Sequence, residues 1–207
     1  TAVLDVEHDM ILRFSGGHSA HGGTDVLHYH LSTNRWELTF PVEFPLGQLY
    51  ANTRYPRGFN FNGRPWVTGH TYKSYAVDPV SDKMLFVGHT EHMYRYDPAV
   101  GDWIDRQVKP DGMNYGSSFY TLTMCPVQSG AKRGVVCWTK DGRLFHYDGK
   151  ANAWAEMELT GDRLIGSVVD RGGIVHDSKR DRLICFSKPY KGAFDGRVCT
   201  VDLKTNQ

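Results

Sequence analysis

The residues call for an all-β chain assembled from repeated four-stranded antiparallel sheets. Three features carry this. Four segments align without a gap: Leu27 to Trp36, Tyr94 to Trp103, Phe145 to Trp154, and Cys199 to Gln207. In the first three, a Tyr precedes a Trp with six residues between, as Tyr29 and Trp36, Tyr96 and Trp103, and Tyr147 and Trp154. Glycine is abundant, 22 of 207 residues, and aromatics make up 13% of the chain, while helix-forming stretches are few. That composition suits short strands and tight turns.

The Trp columns stand 67 and then 51 residues apart. An insertion over 41–65 accounts for the longer interval and leaves a period of about 50 residues, the length of a four-stranded propeller blade. The expected blades are 1–40, 66–108, 117–158 and 166–207, within a single β-propeller domain spanning 1–207. Blade one opens with a strand before the Glu7-His8-Asp9 turn. In blade two, strands are expected near His70–Val77, Lys83–Gly88, His92–Tyr96 and Trp103–Val108, with Asp78-Pro79-Val80-Ser81-Asp82 and Asp97-Pro98-Ala99-Val100-Gly101-Asp102 as turns. Asp, Pro and Gly hold such turns. The run Met84-Leu85-Phe86-Val87 alternates weakly, as a strand buried on both faces does. In blades three and four the short turns fall at Gly149–Asn152, His176–Asp181 and Lys204–Asn206. The Trp of blade four would fall at position 208, and its last strand is missing from the pattern. The expectation is therefore four blades of a ring of six to eight.

These blades resemble kelch repeats, the type shared with galactose-oxidase-like proteins. The matching residues are Ser15-Gly16-Gly17, Asp25-Val26-Leu27-His28-Tyr29 and Trp36. The resemblance implies that the double Gly ends the second strand and that the Tyr and Trp pack between blades. Blade two keeps only Val87-Gly88, and blades three and four carry Cys137-Trp138 and Phe186-Ser187 in that column. The repeat fixes a fold and leaves function to the site.

Charge and hydropathy narrow the function. Lys plus Arg is 24 and Asp plus Glu 23, a net charge of +1, without the footprint of a nucleic-acid partner. No apolar run reaches the roughly 18 residues of a membrane span. There is no Gly-rich phosphate loop, no Gly-x-Ser-x-Gly elbow and no zinc-protease signature.

Strand order sorts the loops. Turns from strand one to two and from three to four are short and share one end; the other connections are long and share the opposite end. Function concentrates on loops held by a rigid scaffold. On this second face fall His18, His21, Tyr55, Arg57, Trp66, His70, His89, Tyr115 and Tyr190. His18-x-x-His21 and His89-x-x-His92 start loops at matched places of adjacent blades; imidazole there serves as ligand, proton shuttle or plain hydrogen-bonder. Arg57 suits a carboxylate clamp or a tie within its own loop. Tyr72 and Tyr75 read as inter-blade packing. Trp36, Trp103 and Trp154 recur by register and read as core, whereas Trp66 and Trp138 break register, Trp66 being the better candidate to stack on a ligand.

A kelch-like propeller with such a face is similar to the propeller-type polysaccharide lyases, such as ulvan lyases. That resemblance implies a His or Tyr that removes the proton beside a uronate carboxylate and an Arg or His that neutralises the carboxylate. It casts Tyr55 or His70 as base or acid, Arg57 as neutraliser and His18 as shuttle, with His89, His21, Trp66, Tyr115 and Tyr190 holding substrate. The alternative is a propeller without chemistry that binds a protein or glycan partner on the same face. Neither reading needs a cofactor or a metal. His28-Tyr29-His30 has the spacing of a paired metal site, but His30 shares a column with Asp97, Asp148 and Asp202, a turn-capping place, and His28 one with Arg95, His146 and Thr200, read as solvated. Cys125 with Cys137, and Cys185 with Cys199, flank hairpins and stand as two disulfides or four thiols. The expected location is extracellular or periplasmic.

Overall fold

The computed structural model describes residues 2–14, 23–43, 59–67, 71–87, 92–113, 122–139, 141–162, 172–186 and 198–207. Among them every regular element is a strand. Strands β1 (Val3–Asp5), β2 (Met10–Phe14), β3 (Val26–His30) and β4 (Arg35–Leu38) form the first sheet in sequence order. β5 (Phe59–Phe61) and β6 (Arg64–Trp66) pair as a hairpin. β7 (Tyr75–Asp78), β8 (Lys83–Val87), β9 (His92–Asp97) and β10 (Asp102–Val108) form the second four-stranded sheet. β11 (Leu122–Val127), β12 (Gly134–Thr139), β13 (Leu144–Asp148) and β14 (Ala153–Glu156) form the third. β15 (Gly173–Asp177), β16 (Arg182–Phe186) and β17 (Val198–Asp202) make a three-stranded sheet. The expected all-β class and four-stranded antiparallel sheets are thus present.

Turn chemistry explains the repetition. An Asp ends the first or third strand and accepts backbone N–H groups two or three residues on: Asp78 from Val80 and Ser81, Asp97 from Ala99, Asp148 from Lys150 and Ala151, Asp202 from Lys204 and Thr205. Each β3–β4-type turn then closes on a left-handed residue, Asn34, Gly101, Asn152 or Asn206, in one repeat column. Gly101 departs from Asn for a steric reason: a Cβ there would lie 2.8 Å from Cβ of Thr39. Asp9, Asp82 and Asp181 do the same for the first turn of three sheets.

The chain forms two compact units, 1–77 with 82–109 and 78–81 with 110–207. In the first, Leu12, Phe14, Val26, Phe86, Tyr96 and Trp103 are core residues. Tyr75 packs edge-on against Phe14, with ring centroids 6.3 Å apart, as its place between sheets predicted. In the second unit the core includes Val136, Trp138, Leu144, Ile174 and Leu183.

The structure corrects the reading of the Trp columns. Trp103 is 8% exposed, but Trp36 is 60% exposed. Trp103 meets Phe14 of the first sheet at 5.0 Å and donates its indole N–H to the Thr24 carbonyl. Trp36 lies on the first sheet's opposite face and stacks on its cross-strand partner Tyr29. Burial of this column therefore depends on an adjoining sheet and not on the repeat alone. Within the insertion Asn62 and Gly63, both at positive φ, close the β5–β6 hairpin as a two-residue turn requires.

Candidate functional site

The first sheet brings together the densest set of ligand-type side chains among the described residues. Side chains of a strand alternate between faces, so His28 and His30 share one. The β3–β4 register pairs His28 with Glu37 directly, Tyr29 with Trp36 and His30 with Arg35. Cross-strand partners share a face, so Glu37 joins the two imidazoles. One ligand atom from each of His28, His30 and Glu37 lies within 4.8 Å of the others.

His28 is 2% exposed, not solvated as its column suggested. Its Nε2 is 2.6 Å from the Tyr96 hydroxyl. That hydroxyl is 3.1 Å from Thr39 Oγ1, which donates to the Gly101 carbonyl at 2.5 Å. The end of this chain fixes its direction. Thr39 spends its one proton on Gly101, so Tyr96 donates to Thr39, and His28 Nε2–H donates to Tyr96. Nδ1 of neutral His28 therefore keeps its lone pair. Burial lowers the His28 pKa, outweighing the nearby Glu37 carboxylate, so the neutral ring is favoured. Burial also raises the Tyr96 pKa and keeps the phenol protonated.

His30 does not cap its turn as the Asp residues of its column do. Its Nε2 lies 2.7 Å from Glu37 Oε2. Asp5 is fully buried nearby and is taken up by His8, whose Nδ1 is 2.9 Å from Asp5 Oδ2. The sequence missed Glu37, Tyr96 and Thr39. Glu37 had a signal: once Tyr29 pairs with Trp36, antiparallel register sets His28 opposite Glu37.

A second constellation lies in the other unit. Cys185 and Cys199 are register partners on β16 and β17. Cys125 and Cys137 are not: Cys125 faces Val136 and Cys137 faces Met124, which places them on opposite faces of their sheet. The Cys185 thiol donates towards Cys199, which raises its own pKa and lowers that of Cys199. Cys125, Cys137 and Cys185 are buried, whereas Cys199 is partly exposed; Cys185 and Cys199 both line a small cleft with Trp138, Leu144 and Leu159. Reactivity follows thiolate fraction and access. Brief iodoacetamide treatment of the native protein should label Cys199 about tenfold faster than any other thiol; peptide mass spectrometry reads this, and equal labelling would contradict the pairing.

Of the residues singled out from sequence, His18, His21, Tyr55, Arg57, His70, His89, Tyr115 and Tyr190 lie outside the described residues. Trp66 is described: it sits on β6 and is fully buried. No helix of the described residues is long and apolar enough to cross a membrane. Comparison with known proteins found no family model that matches the chain, and no curated protein matches it.

Proposed function

We propose that the chain is part of a kelch-like β-propeller, a ring of six to eight blades, that acts on uronate-containing polysaccharide outside the cell or in the periplasm. The four repeats serve as blades of one domain, and the long connections form the working face.

Strand direction is the observation that supports this. Turns of four to six residues close one end of each three- or four-stranded sheet, and connections of four residues also close the opposite end of the second and third sheets. At that opposite end β2 stops at Phe14 and β3 starts at Val26, β8 stops at Val87 and β9 starts at His92, and β16 stops at Phe186 and β17 starts at Val198. His18 and His21, His89, and Tyr190 fall in those three sequence intervals. Tyr55 and Arg57 follow β4, His70 precedes β7, and Tyr115 lies between β10 and β11, so their intervals also begin or finish at that end of a sheet.

The chemistry is β-elimination. A base, Tyr55 or His70, takes the C5 proton of the uronate. The electron pair left at C5 forms the C4=C5 double bond, the C4–O bond breaks, and the departing oxygen takes a proton from the acid. The C5 proton is acidic enough only when Arg57, with His18 or His89, offsets the carboxylate charge. The full-length protein is screened on uronate polymers by absorbance of the unsaturated product, with Tyr55→Phe and Arg57→Ala alongside. The expected result is product from wild type and a loss of about a hundredfold or more in both variants. Absence of product on every polymer, from a folded protein, overturns the lyase reading.

One observation favours a second reading, a non-catalytic propeller that binds a protein or glycan. Trp66, expected to stack on substrate, has no exposed surface. Retention of the protein on an immobilised uronate polymer without turnover would select that reading.

A further inference from the structure

We propose that His28, His30 and Glu37 form a binding site for a divalent transition metal such as zinc. Two imidazoles and a carboxylate are a donor set that suits zinc and its neighbours. The ligands belong to β3 and β4, and the polysaccharide reading uses none of them.

The three ligands divide into one fixed anchor and two adjustable arms. His28 is buried, and its Nε2–H is held by the chain through Tyr96 and Thr39 to the Gly101 carbonyl. A metal-ligating His commonly donates its other N–H to just such an outer partner, which sets the tautomer and ring orientation. The side chains of His30 and Glu37 are 31% and 52% exposed and so have room to turn. Ligand atoms of a tetrahedral zinc ion stand roughly 3.4 Å apart. One ligand atom of each residue already lies within 4.8 Å of the others, and His30 and Glu37 are the two with room to close that gap. Three protein ligands leave a position for water on the open side.

Nothing in the repeat requires this set. In the second sheet the residue in the His28 column is Arg95, which forms a closed ion pair with Asp105 through Nε and Nη2. Guanidinium has no lone pair to offer. The column of His30 holds Asp97, Asp148 and Asp202 elsewhere, each occupied with backbone N–H groups. Only the first repeat replaces that cap with an imidazole and leaves it facing a carboxylate.

The test is calorimetric titration of the full chain with Zn²⁺, Co²⁺ absorption as a probe of ligand type, and thermal unfolding with and without Zn²⁺. The expected result is one metal per chain, a Zn²⁺-dependent rise in unfolding midpoint, and affinity about tenfold or more weaker in both His30→Ala and Glu37→Gln. Both changes lie at the surface, so the metal-free midpoint should stay near wild type. Tyr96→Phe, which breaks the outer chain, should weaken binding while keeping the Co²⁺ spectrum. Absence of saturable binding below millimolar Zn²⁺ overturns the proposal. So does unchanged affinity in both variants, or a loss of binding on His8→Ala equal to that on His30→Ala.

Discussion

Trp103→Ala lowers stability by about 4 kcal/mol, while Trp36→Ala, at the same place in the repeat, costs about 1 kcal/mol or less. The difference is packing. The Trp103 ring touches Phe14 at 5.0 Å and Tyr96 at 5.4 Å and sits 6.4 Å from Phe86. Its removal opens a cavity among buried aromatics and strips the Thr24 carbonyl of its donor. Trp36 gives up little more than a stacking contact with Tyr29. Urea midpoints of the two variants measure this directly. Equal losses would mean that the two tryptophans are equally buried and that the first sheet is covered on its Trp36 face.

Arg64→Ala should cost about 2 kcal/mol, between the worth of an exposed ion pair and the cost of orphaning a buried one. Arg64 grips Asp102 with two nitrogens, Nε to Oδ1 at 2.8 Å and Nη2 to Oδ2 at 2.6 Å. Its third nitrogen meets Glu43 Oε2 at 2.8 Å, and the guanidinium lies 4.0 Å over the Phe40 ring. One side chain therefore ties the β5–β6 hairpin to the start of β10. Arg64→Lys should recover less than half of the loss, because a point charge cannot reproduce the fork. The pH dependence has a definite sign. The hydrogen bond from Arg64 holds the Asp102 pKa below its ordinary value, and burial opposes it. A carboxylate with a depressed folded pKa contributes fully above its unfolded pKa, and the contribution fades as pH falls through the folded one. Wild type should lose this stability as pH falls through and below the ordinary carboxylate range, and Arg64→Ala should show a flatter profile there. Parallel profiles would remove Asp102 from the account.

Local rules were legible in the sequence and tertiary ones were not. Asp caps and left-handed Asn or Gly recur because a tight turn admits few residues, so strand order could be read before any packing was known. The exposure of Trp36 could not, since it depends on whether a second sheet lies against it. The Cys pairs show the same limit. Cys185 and Cys199 face each other, whereas Cys125 and Cys137 miss by one residue, and a shift of one residue sends a side chain to the other face. At the candidate site, His28 and His30 were visible as a spacing, but their chemistry depends on Glu37 across the hairpin and on Tyr96, 68 residues away in sequence. The Asn62-Gly63 turn has a local signal of its own, but its segment has no counterpart in the other repeats to set it in register.

Among the described residues, each sheet joins strands only to their neighbours in sequence, β1 to β2 to β3 to β4 and likewise in the others. The consequence lies in kinetics and ancestry. Hydrogen bonds form between segments a few residues apart, so little loop entropy is lost before the first contacts reward it. Such a chain should fold sheet by sheet, fast for an all-β protein. A gene of this kind can also lengthen by duplicating one sheet at a time, since each new copy carries its own turns and asks only for a neighbour to cover its face.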